Sequence, residues 1–184
     1  MNDLDKERQT EGSKAWYAIQ TFYCKEEHLG KYLEKKGVNY FIPMRYIEHE
    51  TLDGKKHRKL TPAVHNLLFI EKEFTEKELL ERVKDCTIPF LLVRDRSTRR
   101  CYEIPDHEML EFRAVCDPNY KGTLYVDTVT AEARPGQAVR VIRGPFAGLE
   151  GKLTQYKKSY YVVVTLATIG VMLHIPKWYC EKIN

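Results

Sequence analysis

The side chains that could do chemistry begin with a cysteine and a histidine near the N-terminus. Cys24 and His28 are four residues apart, so a helix would place a thiol and an imidazole on one face, as in a nucleophile–base or metal-ligand pair. The sequence places no third ligand or orienting carboxylate beside them. A buried thiol and a surface histidine are the simpler interpretation, and a thiol-dependent enzyme remains only an alternative.

Other signatures of catalysis are missing from the sequence. The five cysteines contain no Cys-x-x-Cys pair, which argues against a zinc ribbon or a disulfide framework. Neither GxxxxGK[ST] nor GxGxxG occurs. The acidic residues between Glu71 and Glu81 fit the polar face of an amphipathic helix. We therefore predict a protein that is not an enzyme, with no catalytic residues, no metal and no cofactor.

Clusters of basic residues favour binding over catalysis. The segment Lys55–Lys59 carries four fixed positive charges in five residues, after a turn signal at Asp53 and Gly54. Such a hairpin arm could contact phosphates, or it could be a solvated edge kept charged to prevent strand pairing. The sequence is compatible with both interpretations. The segment Arg94–Arg100 is interrupted by an acid, and we expect it to be a solvated loop.

The apolar periodicity up to residue 116 predicts an α+β fold, with one mainly antiparallel sheet and helices on one face. Thr75 and Glu78 form a capping-box pattern at a helix start. The predicted strands are 16–22, 39–43, 45–52, 55–60, 64–70, 90–93 and 101–104, and the predicted helices are 24–36, a helix after Thr75, and 106–115. We expect a flexible leader at 1–13, a domain at 14–116 and a linker at 117–132.

From residue 133 to residue 184 the pattern changes to short strands separated by turns. Five such strands predict a small closed β-barrel. From Ala131 onward eight basic residues face three acidic ones, so this domain is the basic part of the chain. The N-terminal residues are polar and lack the apolar stretch of a signal peptide, so we expect none, and no apolar run in the sequence is long enough to span a membrane. We expect a cytoplasmic protein without a membrane partner.

The most specific stretch of the second domain is a glycine-rich turn between two predicted strands. Its members are Gly144, Pro145, Phe146, Gly148 and Gly151. Glycines there permit unusual backbone angles or close approach, proline sets the turn, and Phe146 can plug one end of a barrel. The stretch resembles the KOW motif, which implies an SH3-like barrel. Because KOW modules occur in ribosomal and transcription proteins alike, a ribosome-associated RNA-binding protein is the alternative function.

The N-terminal part favours transcription. The segments 16–19, 39–44 and 65–70, in this order before a KOW-like module, resemble the NusG family of transcription elongation factors, whose N-terminal domain is a ferredoxin-like sandwich. The resemblance covers residues 14–182. At 63–67 the chain reads Ala-Val-His-Asn-Leu where the general factor has Phe-Pro-Gly-Tyr-Val. Together with Asn39 and Met44, this is more similar to specialised antiterminators of the RfaH and UpxY type, which serve polysaccharide operons.

The resemblance implies a set of partners and contact residues. The family binds the clamp helices of RNA polymerase through an apolar depression, and the matching positions here are Gln20, Phe22, Pro43, Val64, His65 and Leu67. In specialised relatives the exposed face of the first helix contacts single-stranded DNA, and Lys25, His28 and Lys31 occupy that region here. The charged residues Lys55, Lys56, Arg58 and Lys59 of the predicted hairpin are, by their charge, the other candidates for contacts to DNA of the transcription bubble. A ribosomal protein or a termination factor is the implied partner of the KOW domain. We expect a monomer that suppresses pausing or termination.

Overall fold

A computed structural model describes residues 14–50, 54, 56–95, 97–127, 130–131, 135–166 and 169–183. The leader predicted at 1–13 lies outside them. The helices are α1 (Glu26–Lys35), α2 (Glu76–Arg82) and α3 (Asp106–Val115), with a 3-10 turn at Lys177–Tyr179. The first seven strands are β1 (Ala15–Thr21), β2 (Tyr40–Phe41), β3 (Met44–Glu50), β4 (Lys56–Pro62), β5 (Leu67–Glu71), β6 (Phe90–Leu92) and β7 (Glu103–Pro105). The others are β8 (Thr123–Asp127), β9 (Gln137–Val141), β10 (Glu150–Tyr156), β11 (Ser159–Leu166), β12 (Ile169–His174) and β13 (Cys180–Lys182).

The first sheet is antiparallel and confirms the predicted α+β fold. Its order is β2-β5-β1-β6, and β7 also pairs with β1. Consecutive residues of β1 are buried on both sides, because Trp16 and Ala18 pack in one cluster whereas Tyr17 and Ile19 pack in another. A strand buried on both faces needs cover on each of them.

The helices pack on both faces of the first sheet. The prediction that they all lie on one face is therefore wrong. Residues of α1 and α2, including Leu29 and Leu79, pack with Tyr17 and Ile19. The residues Met109, Phe112 and Val115 of α3 pack with Trp16 and Ala18 instead. The ring of Phe112 meets that of Phe69 edge-on, with centroids 5.4 Å apart. The capping box of Thr75 and Glu78 is confirmed at the start of α2.

The strands β3 and β4 form the predicted hairpin. They make a separate two-stranded sheet in register from Met44 opposite Pro62 to Glu50 opposite Lys56. Gly54 in the turn has a φ of +74°, which glycine adopts without steric cost. The hairpin is thus a two-stranded sheet of its own, and Met44 at its base packs against the core of the first sheet.

The second sheet is antiparallel, has the order β13-β9-β10-β11-β12-β8, and gives the C-terminal region its barrel-like form. We refer to β8–β13 as the second domain. Strand β8 falls within the predicted linker and pairs with β12, so the described sheet has six strands rather than five. Apolar side chains of β9, β11 and β12, such as Val139, Val162 and Leu173, form its interior.

The two domains share one apolar core. Phe112, Val115 and Cys116 belong to the same buried cluster as Leu166 and Ile169 of the second domain. Helix α3 contacts β11 as well as β1. As a result, α3 is packed between the first sheet and the second domain.

Candidate functional site

The turn before β5 is shaped by an asparagine in a left-handed conformation. Asn66 has a φ of +61°, a region that asparagine tolerates better than most residues. Its backbone oxygen accepts a hydrogen bond from the Thr21 nitrogen at 3.0 Å. Its side-chain oxygen accepts one from the Cys24 nitrogen at 2.9 Å. The turn is thereby fastened to the loop between β1 and α1. Cys24 lies in that loop and is exposed, so the prediction of a buried thiol in a helix is wrong.

A buried carboxylate also holds this turn in place. The side chain of Glu26, at the start of α1, is 1% exposed. It accepts hydrogen bonds from the Thr21 hydroxyl at 3.4 Å and from the Asn66 nitrogen at 3.2 Å, and the Nδ1 of His65 lies 3.3 Å away. The amino end of a helix also favours a negative charge. Glu26 therefore holds together the residues that precede β5.

Beside this turn, three residues form a row across the first sheet. Gln20 of β1 stands opposite Leu67 of β5 on one side and opposite Leu91 of β6 on the other. Directly opposed residues of paired strands point to the same face. Leu67 is 4% exposed, whereas Leu91 is 58% exposed. The row thus presents an accessible apolar side chain at the edge of the sheet.

A cavity of about 560 Å³ lies over part of this row. One wall consists of Gln20, Ala63, Val64, His65, Asn66 and Leu67, and the other of Tyr125, Val126 and Ile169 from the second domain. We call it the interdomain cavity. Burial raises the pKa of Tyr125 above its usual range, so its hydroxyl stays neutral. A neutral, largely apolar wall therefore faces the first sheet.

The structure brings together four of the six residues proposed to bind polymerase, namely Gln20, Val64, His65 and Leu67, because all four line the interdomain cavity. The other two, Phe22 and Pro43, do not line it. Pro43 is buried, and its carbonyl accepts a hydrogen bond from the Ala63 nitrogen at 2.7 Å, which positions the start of the turn. Phe22 is half-buried after the end of β1.

Sequence reasoning missed Leu91 and Glu26. Alternation within the predicted strand at 90–93 shows which residues share a face, but the partner of Leu91 depends on register with β1. Glu26 falls on the helical stripe of Leu29 and Leu33, at spacings of three and seven residues. A charged residue on an apolar stripe was the available signal that Glu26 is buried.

Of the residues proposed to bind nucleic acid, those on the hairpin and α1 are exposed. Lys56, Arg58 and Lys59 lie on β4, whereas Lys55 lies outside the described residues. The guanidinium of Arg58 stacks on the Tyr46 ring, 4.2 Å from its centroid. Lys25, His28 and Lys31 recur at intervals of three along the exposed side of α1 and the residue preceding it. They form a second, separate basic stripe.

Two thiols have environments unsuited to nucleophilic catalysis. Burial, with a smaller contribution from the neighbouring Glu76, raises the pKa of Cys101 to about 11. Burial raises that of Cys116 to about 12. Both remain protonated at neutral pH, and the thiol is a far weaker nucleophile than the thiolate. Within the described ranges, no three residues of the metal-binding types come together, and no helix is long and apolar enough to cross a membrane.

Most of the described residues in the loop expected at Arg94–Arg100 are exposed, and hydrogen bonds join several of them to one another. Arg94 pairs with Glu76 of α2. Hydrogen bonds from Ser97 and Thr98 hold the pKa of Asp95 at about 2. The loop is therefore tied to its own domain.

The glycine-rich turn of the second domain has the geometry that its residue types predict. Gly144 and Gly148 have φ values of +83° and +96°. A Cβ on Gly151 would lie 2.6 Å from the Val163 carbonyl oxygen, so only glycine fits without a shift. The ring of Phe146 meets Tyr120 edge-on at 4.8 Å. Phe146 therefore contacts the segment that joins the two domains.

The two domains correspond to two known protein families. Residues 14–113, more than half of the chain, match the family described as "Transcription termination factor nusG". Residues 135–166 match the KOW motif. A search of curated proteins gave no match. The fold and the matches together define a transcription factor with an α+β domain followed by a barrel-like KOW domain.

The chain belongs to the NusG family, as the order of its segments indicated.

Proposed function

We propose that this protein binds RNA polymerase through the row Leu67–Gln20–Leu91 and the adjoining interdomain cavity, and that it suppresses pausing or termination. The proposal rests on one observation: the same wall of the interdomain cavity is lined by Gln20, Val64, His65 and Leu67, and the exposed Leu91 lies next to it. The expected partner is an apolar helical protrusion, the clamp helices in the family. Docking would stabilise the complex by about 25 cal/mol per Å² of apolar surface buried.

The effect on transcription needs no chemistry. If the protein binds the closed, elongating form of polymerase more tightly than the paused form, it shifts the population toward the closed form. The shift is limited by the difference between the two affinities. This mechanism agrees with a site built from apolar and hydrogen-bonding side chains.

The second domain affects how the site is reached. Tyr125, Val126 and Ile169 stand across the interdomain cavity, and Leu67 is buried. Leu91, Gln20 and His65 are accessible in the same arrangement. A protrusion would therefore first contact the exposed part of the row. It would contact Leu67 fully only after displacing the second-domain residues across the cavity.

Further partners belong to the same proposal. The basic stripe on α1 and the hairpin would contact DNA of the transcription bubble, and the KOW domain would bind a ribosomal protein or a termination factor. The departure at 63–67 supports a specialised, operon-directed role of the polysaccharide type. The alternative of a ribosome-associated RNA-binding protein is supported by the KOW domain, which can serve either function.

The test compares three exposed or half-buried apolar residues in the whole chain. Leu91→Glu and Val64→Glu place a charge on the proposed site. Leu80→Glu is the matched control, because Leu80 is 44% exposed on α2, which covers the opposite face of the first sheet. We expect the two site variants to bind core polymerase at least about tenfold more weakly, since burying an unpaired charge costs more than about 1.4 kcal/mol.

The control should bind like the unaltered protein. If Leu91→Glu and Val64→Glu also bind polymerase as tightly as the unaltered protein, and thermal unfolding shows that they are folded, this surface is not the polymerase site. A purified elongation assay then measures pausing with the same proteins. Co-sedimentation with ribosomal subunits without affinity for polymerase would support the ribosome-associated alternative.

A further inference from the structure

We propose that the β3–β4 hairpin binds the phosphate backbone of nucleic acid with one face only, the face that carries His49, His57 and Lys59. The inference rests on the proposed function in assigning the hairpin to nucleic acid. It goes further because it assigns the contact to Lys59 and excludes Lys56 and Arg58, the other two lysine and arginine residues of β4.

The strand register divides the side chains between two faces. Opposed pairs of the hairpin are Ile47 with Lys59 and His49 with His57 on one face. On the other face they are Glu48 with Arg58 and Glu50 with Lys56. Side chains of opposed pairs point the same way, and successive residues alternate between faces. We call the first the histidine face and the second the mixed face.

The mixed face is electrically balanced. Each of its two cations has a glutamate directly opposite, with Cβ atoms about 5 Å apart in such pairs. In addition, the Arg58 guanidinium is occupied by the ring of Tyr46. A polyanion approaching this face would meet two carboxylates as well as two cations, so the net attraction is small.

The histidine face carries no acidic side chain among the described residues of the hairpin. Lys59 is exposed and stands opposite the apolar Ile47 rather than a carboxylate. His49 and His57 are exposed, and each adds a ring N–H donor that can form a hydrogen bond with a phosphate oxygen. Arg45 lies on the same face at the base. The cavity that it lines with Asp117 is otherwise bounded on the hairpin by the mixed face, through Tyr46, Glu48 and Arg58.

The geometry of the ribbon suits a backbone contact. Lys59 and His57 are two residues apart on one strand, so their side chains project about 7 Å apart along it. The hairpin pairs with no other described strand, and the side chains of His49, His57 and Lys59 are exposed, so a long partner can reach this face. Donors that are spread along a two-stranded ribbon, with no carboxylate opposite them, match a chain of phosphates better than they match a single anion.

The test uses two Lys→Glu changes on one strand. Lys59→Glu alters the histidine face and Lys56→Glu the mixed face, with the same change in net charge and comparable exposure. Binding of the whole protein to a fluorescent 20-nucleotide single strand and to the corresponding duplex is measured by anisotropy between 50 and 200 mM salt. We expect Lys59→Glu to weaken binding about threefold to tenfold at low salt and to reduce the salt slope by about one.

Lys56→Glu should leave affinity within about twofold, because Glu50 already offsets its charge. Equal losses in the two variants would overturn the assignment to one face while leaving a nucleic-acid role for the hairpin. If neither variant loses affinity for either probe, the hairpin does not bind nucleic acid. If Lys59→Glu weakens polymerase binding alone, the partner of this face is a protein. Polymerase binding of Leu91→Glu tests the proposed function separately.

Discussion

The carboxylate of Glu26 accepts a hydrogen bond from the backbone nitrogen of Asn66 at 3.2 Å, across 40 residues of sequence. Glu26 begins α1, and Asn66 ends the turn that forms one wall of the interdomain cavity. One buried side chain therefore fixes the position of a loop that the proposed polymerase site depends on.

Removing this carboxylate should loosen the cavity wall. Glu26→Ala leaves the Thr21 hydroxyl and the Asn66 nitrogen without their acceptor, and we expect a loss of about 2–3 kcal/mol in the free energy of unfolding. Glu26→Gln retains one acceptor and should lose about 1 kcal/mol. Urea unfolding measures both variants. Unchanged stability in Glu26→Ala would show that the buried carboxylate does not hold this turn.

Tyr120 should anchor the connecting segment to the second domain. Its hydroxyl donates a hydrogen bond to the His174 carbonyl at 2.6 Å, and its ring packs on Phe146. We expect Tyr120→Phe to lose about 1 kcal/mol and Tyr120→Ala about 3 kcal/mol. Tyr23→Ala is the control, because Tyr23 is almost fully exposed. If Tyr120→Ala behaves like this control in thermal unfolding, the anchor is not structural.

The glycine-rich turn should tolerate no side chain at Gly151. A Cβ there would press on the Val163 carbonyl oxygen, which belongs to the backbone of β11 and cannot rotate away. We expect Gly151→Ala to destabilise the second domain by about 1–3 kcal/mol. Amide resonances of β10 and β11 should shift most in a two-dimensional NMR spectrum. Spectra that superimpose on those of the unaltered protein would contradict the close approach.

Acid should weaken the link between α1 and the loop after α2. Hydrogen bonds from Lys36 and Tyr32 lower the pKa of Asp85 to about 2. A carboxyl whose pKa is lowered on folding stabilises the protein above its unfolded pKa of about 4, and this contribution is lost as pH falls toward 2.

The measurement compares Asp85→Asn with the unaltered protein by thermal unfolding between pH 2 and pH 7. The unaltered protein should be the more stable at pH 6, and the difference should shrink as pH falls from about 4 to about 2. A difference that stays constant over this range would mean that the Asp85 contacts do not form in solution.

Much of the local structure could be predicted from the sequence because it depends on residues close together in the chain. The capping box at Thr75, the hairpin turn at Gly54 and the glycines of the KOW motif each act over a few residues. Alternation located β1 and β5 to within a few residues. The residues that line one wall of the cavity followed from resemblance, since Val64, His65 and Leu67 are neighbours in sequence.

Relations between distant segments could not be predicted in this way. The sequence predicts a linker at Thr123–Asp127, because this segment is short and lies between the two domains. In the structure it forms strand β8, since β12 provides a pairing partner. Residues of β1 are buried on both faces of the first sheet. The periodicity of the sequence does not show which helix covers which face.

The sequence by itself determined the order of the elements apart from β8, the family, and the basic character of the second domain, since these follow from residue types and local spacing. Only the tertiary structure decided that Leu91 joins Gln20, that Glu26 lies beneath Asn66, and that the second domain stands across the cavity. These relations depend on strand register and on packing between segments far apart in the chain, where many pairings satisfy the same local pattern and the total buried surface selects one.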